Sequence, residues 1–246
     1  MEIFINGVHL HYVQYGKEGG TEIVLLHGWG QNIEMMKPLG DLLSDRYHIT
    51  ILDLPGFGNS SEPPSVWKLS DYVSMLEKFI SSLSIEKPIL MGHSFGGRVA
   101  IQYSSNHNIK KLVLFGSPCI RKNKELPLSV KILKSIKKLP GMNTFGEYMK
   151  KYIGSRDYKA ASPKMRQILV ETVNEDLSSY AKQIEEPTLL IWGDHDTEEP
   201  VENAKELETI MPDAGLVVLP GSHFAYLENL QQVVRILKKF MEDSND

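Results

Sequence analysis

The sequence predicts an α/β fold with a mostly parallel sheet, and three observations lead to it. Short apolar, β-branched runs recur at 23–26, 49–54, 88–91, 111–115, 188–192 and 216–219. Several lack the polar alternation of a half-exposed strand, as strands buried on both faces do. Amphipathic helical patterns lie between them, at 69–83, 97–105, 201–210 and 230–240, and strands alternating with helices build a parallel sheet with helices on its faces. A chain of 246 residues is long enough to close one sizeable core around such a sheet.

Taken in order, the chain opens with alternating apolar and polar residues around Asn6-Gly7, a β-hairpin signature with a tight turn. The run 23–26 ends on His27-Gly28-Trp29-Gly30, and 49–54 leads into Asp53-Leu54-Pro55-Gly56-Phe57-Gly58-Asn59-Ser60. The run 88–91 ends on Gly92-His93-Ser94-Phe95-Gly96-Gly97, with a helical pattern behind it. After 111–115 the rhythm breaks. Residues 118–186 hold no convincing buried strand, only helical patterns such as 130–138 and 165–173, cut by Pro127, Pro140-Gly141 and Pro163. A long insertion between two sheet strands is usually functional. The expected organisation is a core of 1–117 and 187–246 with a helical lid, 118–186, inserted after the sixth strand.

Composition excludes several classes. With 41% hydrophobic and 24% charged residues the chain is neither disordered nor fibrous. A net charge of −4 argues against nucleic acid as a partner, which calls for a strongly basic balance. The single cysteine, Cys119, permits no intrachain disulfide and no cysteine-based metal cluster, which fits a reducing compartment. The start lacks a signal-peptide pattern, and no apolar run reaches the roughly 20 residues of a membrane span. The expectation is a cytoplasmic protein.

The chemistry is signalled first by Gly92-His93-Ser94-Phe95-Gly96, a G-x-S-x-G nucleophile elbow. A chain that turns sharply from strand to helix holds its serine strained and exposed. Small residues two before and two after keep side chains out of the turn, and the following helix N-terminus favours a developing negative charge. Ser94 is therefore the candidate nucleophile.

With HGWG after the strand 23–26, GHSFGG at the elbow and the D-x-P-G-x-G-x-S pattern of 53–60, the chain resembles the α/β-hydrolase superfamily over nearly its whole length. The resemblance implies the site. It assigns the oxyanion-hole N–H groups to Trp29 and Phe95, and such donors are each worth about 3 kcal/mol. It takes the acid from Gly193-Asp194-His195-Asp196-Thr197-Glu198-Glu199-Pro200, where its register favours Asp196 over the rival Asp194. It places the base in Gly221-Ser222-His223-Phe224, making His223 the histidine, of eight, in the right chain order. His27 reads as structural, His195 as a loop residue, and Asp53 as a turn residue that precedes the nucleophile and so breaks the Ser…Asp…His order. His9, His11, His48 and His107 read as surface or structural.

Together these residues imply a serine hydrolase that cleaves a carboxylic ester through an acyl-enzyme, with no metal or organic cofactor. The motifs are similar to those of small carboxylesterases and of pimeloyl-carrier-protein methyl ester esterases. Carbon–carbon bond hydrolases, a lyase with the same triad, and a non-enzymatic small-molecule receptor on the same fold stay open as alternatives, because fold does not determine substrate. Residues 121–160 carry eleven Lys/Arg against three Asp/Glu. That excess reads either as a solvated surface or as a basic lid that attracts an acidic carrier protein, with Lys131, Lys134 and Lys138 on one helical face. Leu133, Met142, Phe145 and Tyr148 either line an acyl pocket or dock the lid.

Overall fold

A computed structural model describes residues 1–121 and 161–242. The lid residues singled out above, from Lys131 to Tyr148, lie outside them. Strands β1 (Glu2–Ile5) and β2 (Val8–Gly16) form the expected hairpin, with Asn6 and Gly7 both at positive φ, +52° and +80°. Those are the angles that make Asn-Gly the preferred two-residue turn. Then come β3 (Glu22–Leu26), α1 (Ile33–Leu43), β4 (His48–Leu52), α2 (Leu69–Ser82), β5 (Ile89–His93), α3 (Phe95–Ser104) and β6 (Lys111–Phe115). After residue 160 follow α4 (Pro163–Val173), α5 (Ser178–Ala181), β7 (Thr188–Gly193), α6 (Val201–Ile210), β8 (Ala214–Leu219), α7 (Ala225–Glu228) and α8 (Leu230–Met241).

The strands form one sheet in the order β1-β2-β4-β3-β5-β6-β7-β8. Pairing is antiparallel as far as β2–β4 and parallel from β4 through β3 to β8. Residues of the inner strands alternate between two cores. Val24, Leu26, Leu90, Leu112, Leu114, Leu190 and Trp192 face the side covered by α2, α3 and α6. Ile23, Leu25, Ile89, Met91, Val113, Phe115 and Ile191 face the side of α1 and α8. Both sets are apolar, which is why these runs show no polar alternation.

The differences from the sequence reading are local. Strand β5 runs on to His93 and α3 begins at Phe95, so Ser94 alone makes the turn. Helix α1 was not anticipated, because Pro38 sits inside it and interrupts the helical pattern. Its buried Ile33, Met36, Leu39 and Leu43 anchor it to the sheet, and Asn32 caps it by accepting the Glu34 N–H at 3.0 Å. Within 161–186, α4, α5 and the residues flanking α5 bury Met165, Ile168, Leu169, Leu177, Ala181 and Ile184, most of them in the core shared with α2 and α3. Among the described residues no helix is long and apolar enough to cross a membrane.

Candidate active site

Because β3, β5, β6, β7 and β8 are parallel neighbours, their carboxyl ends share one edge of the sheet, where ligands of open α/β sheets bind. Each candidate residue follows one of those ends. Trp29 comes after β3, Ser94 after β5, Asp196 after β7 and His223 after β8; Gly116 follows β6.

Ser94 has φ +49° and ψ −111°, a conformation that costs a non-glycine residue of order 1–3 kcal/mol. Its N–H donates to Phe115 O at 2.9 Å and its carbonyl accepts from the Arg98 N–H at 3.2 Å, so the strain is held from both sides. The neighbouring glycines are demanded by close approach. A Cβ on Gly92 would lie 2.6 Å from Gly96 O and from Gly97 Cα. A Cβ on Gly96 would meet the backbone of Leu26 and His27.

Asp196 and His223 meet. His223 Nδ1 lies 2.8 Å from Asp196 Oδ2, with side-chain exposures of 6% and 1%, so the pair is nearly sealed from water. The other oxygen, Oδ1, accepts the N–H groups of Glu198 and Glu199, each at 2.8 Å. Asp194 is turned elsewhere: it accepts the Gly221 N–H at 2.9 Å and pairs with exposed His195 at 2.5 Å. The Gly221 N–H, more than His195, holds its carboxyl below the usual range. Asp194 thus staples the two loops while Asp196 faces the imidazole.

The pair adjoins the elbow. A Cβ on Gly116 would stand 3.1 Å from His223 Nδ1 and 3.2 Å from Asp196 Oδ2, and Gly116 is the neighbour of Phe115, which holds the Ser94 N–H. His93, the residue before Ser94, lies 3.0 Å from His223 O through Nε2, and the two rings are 4.8 Å apart. Burial and then the nearby His223 lower the His93 pKa to about 3. His93 therefore stays neutral and carries one ring N–H.

Phe95 opens α3, so its N–H has no intrahelical acceptor. Neither it nor the Trp29 N–H donates to a backbone carbonyl among the described residues. The two rings meet edge to face at 5.3 Å, and Phe57 packs on Trp29 at 4.8 Å, so the two loops carrying these N–H groups are locked together. His27 is wholly buried; its Nε2 accepts the Leu54 N–H at 2.9 Å and its Nδ1 faces Gly28 O at 2.8 Å. Burial lowers its pKa to about 4. Asp53 accepts from the N–H groups of Ile33 and Asn59, at 2.8 and 2.9 Å, and pairs with His11. Both hold loops together through these contacts.

Three residues around the site were not singled out from sequence. His93 occupies a variable position of the elbow motif, and Gln31, 3.2 Å from His93 Nδ1, also accepts the Gly28 N–H. Glu198 reaches His223 Nε2 at 3.7 Å. Its proximity in sequence to Asp196 was the one available signal. Among the described residues, no group of three or more His, Cys, Asp or Glu side chains could hold a metal ion.

The family model for the alpha/beta hydrolase fold matches residues 22–136. The chain has the α/β-hydrolase fold. The chain is 26% identical to a pimeloyl-[acyl-carrier protein] methyl ester esterase of Aeromonas hydrophila, over 90% of the chain and 96% of the relative. It is 27% identical to Lipase 1 of Psychrobacter immobilis, over 96% and 81%. Among solved structures, the enol-lactonase of Burkholderia xenovorans LB400 superposes with a TM-score of 0.79 at 20% identity, covering 99% of this chain and 100% of that one. At that identity the superposition shows shared fold alone. The chain thus has esterase- and lipase-named relatives.

Proposed function

We propose that this α/β hydrolase is a serine esterase that cleaves a carboxylic ester through an acyl-enzyme, with Ser94 as nucleophile, His223 as base and Asp196 as the acid orienting it. The observation that carries the reading is the sealed Asp196–His223 pair beside a strained, helix-starting serine. With Nδ1 committed to Asp196, His223 has Nε2 left to take the Ser94 proton. Ser94 Oγ then bonds to the ester carbonyl, whose oxygen becomes an oxyanion facing the N–H groups of Trp29 and Phe95. Collapse of that intermediate breaks the bond to the alcohol, which leaves with the proton from Nε2. Water repeats the sequence, releasing the acid and restoring Ser94.

The substrate class is a small-molecule ester, and the segment 118–186 is a lid over it. The A. hydrophila relative is named for an acyl-carrier-protein ester. That name, with the basic excess of 121–160, supports an acidic carrier protein as a partner on the acyl side. The test is a fluorophosphonate probe with peptide mapping: the adduct forms on Ser94 and is lost in Ser94→Ala and His223→Ala. A panel of esters of varied acyl length, run beside a ring-cleavage dienone, reads out the bond type. An adduct on another serine, or turnover of the dienone alone, overturns the proposal.

A further inference from the structure

The loop that carries His223 is gripped at every residue. Asn229 donates to Pro220 O at 2.7 Å, and Asp194 accepts the Gly221 N–H at 2.9 Å. Glu228 accepts both the N–H and the hydroxyl of Ser222, at 2.8 and 2.6 Å. The grip on the backbone of His223 itself comes from the elbow. Its carbonyl lies 3.0 Å from Nε2 of His93, the last residue of β5 and the one before Ser94. His93 is wholly buried, and its ring packs on those of His223, at 4.8 Å, and Tyr226, at 5.0 Å. Burial keeps it neutral, so it has one ring N–H to give, and two oxygens face it. Gln31 Oε1, 3.2 Å from Nδ1, already accepts the Gly28 N–H at 3.1 Å. His223 O has no other donor among the described residues. A buried carbonyl left without a donor is costly, so the proton belongs on Nε2, where the contact is also the shorter.

We infer that His93 is a positioning residue: by donating to the carbonyl of His223 it sets the spacing between the base and the strand that carries the nucleophile. The inference rests on the serine-esterase reading. The backbone of His93 is anchored in the sheet, where it pairs with Phe115, and Phe115 O also holds the Ser94 N–H at 2.9 Å. His93 and Ser94 therefore share one rigid strand end. Asp196 aims the imidazole through Nδ1, but it stands on the β7 loop and has no tie to β5. The His93 bond supplies that tie. Proton transfer needs its two heavy atoms at hydrogen-bond distance, and a misplacement of about 1 Å costs about a hundredfold. A side chain that never touches the substrate thereby acts on the rate through the place of the base.

The experiment separates the two ring nitrogens, using the full chain and three variants. His93→Gln places an amide N–H near the position of Nε2, His93→Asn places one near that of Nδ1, and His93→Met fills the space without a donor. Each protein is titrated with a fluorophosphonate. Ser94 Oγ bonds to phosphorus, the P–F bond breaks, fluoride leaves and His223 Nε2 takes the serine proton. Intact mass gives the maximal labelling rate and the reagent concentration at half that rate. His93→Asn and His93→Met are expected to lower the maximal rate by about 10- to 100-fold and to leave the half-rate concentration within about twofold of wild type. His93→Gln is expected to keep the maximal rate within about threefold of wild type. Urea unfolding shows which variants are folded in the assay, and either donor-less variant carries the comparison. Equal rates in all four proteins, equal losses in all three variants, or a loss confined to the half-rate concentration overturns the positioning role alone. Unfolding of both donor-less variants makes the bond structural and overturns it too. Failure of the reagent to label Ser94 in wild type overturns the esterase reading and this inference with it.

Discussion

At the scale of single residues, the loop after β7 holds two aspartates two positions apart with different partners. Asp196 faces the imidazole and Asp194 ties Gly221 to the β7 loop. Asp196→Asn is expected to lower kcat by about three to four orders of magnitude, because the amide no longer enforces the tautomer or balances the imidazolium. Asp194→Asn removes a loop staple and is expected to cost far less. Steady-state kinetics of both variants on one ester check the ranking. The buried histidines govern acid stability. His27 and His93 bind protons less readily folded than unfolded, with values near 4 and 3 against about 6.5 in the open chain. Their contribution is fully present above about pH 6.5. It is lost as pH falls toward 4, because the unfolded chain takes up protons that the folded one refuses, at about 1.4 kcal/mol per histidine per pH unit. Urea unfolding between pH 4.5 and 7.5 is expected to show that slope, and His93→Asn to remove one proton's share. Ser94 was legible because its turn imposes small residues on its neighbours. His93 was not, because that motif position accepts many side chains and its value comes from a carbonyl 130 residues away.

At the scale of elements, α4 is tied to α3 by one buried cation. Arg98 donates to Thr172 O at 3.2 Å, Pro118 O at 3.0 Å and Glu175 O at 2.5 Å. These carbonyls come from the start of the inserted segment and from the end of α4, so the guanidinium ties both to α3. Arg98→Met keeps the bulk and strips the donors from buried carbonyls. It is expected to destabilise the fold by about 3 kcal/mol, read as a lower urea midpoint. The inner strands were legible as short unbroken apolar runs, and most helices of the core by their amphipathic period. Helix α1 was not, since Pro38 masks its pattern and what holds it in place is the sheet beneath. The same limit applies to where α4 docks: the sequence shows a helical stretch around Met165, and only packing decides that Met165 and Ile168 enter the main core.

At the scale of the whole molecule, charge is unevenly distributed. The net −4 of the chain conceals a basic segment at 121–160, with eleven Lys/Arg against three Asp/Glu. If the segment steers an acidic carrier, kcat/KM for a carrier-linked or anionic-acyl ester falls as salt shortens the screening length from about 30 Å at 0.01 M to about 10 Å at 0.1 M. A neutral ester of equal chain length is expected to change little. Lys131→Gln, Lys134→Gln and Lys138→Gln combined are expected to reproduce the salt effect at low ionic strength. An equal response of both esters would leave the segment as a solvated surface. Segment charge is readable from sequence; the partner it faces is not, because field direction depends on the fold.

The inner strands act as rulers. Each buries apolar residues on both faces, so shifting one by a single position exchanges one oily surface for another and leaves the cores apolar. The far end of the ruler is less forgiving. Removing one residue from β7, such as Leu190, draws the following loop back by about 3.3 Å, more than the His223–Asp196 hydrogen bond can absorb. A chain so shortened is expected to keep a folded circular-dichroism spectrum while losing ester turnover. In this architecture, strand length sets the geometry of the candidate site, measured in residues and enforced at the edge of the sheet.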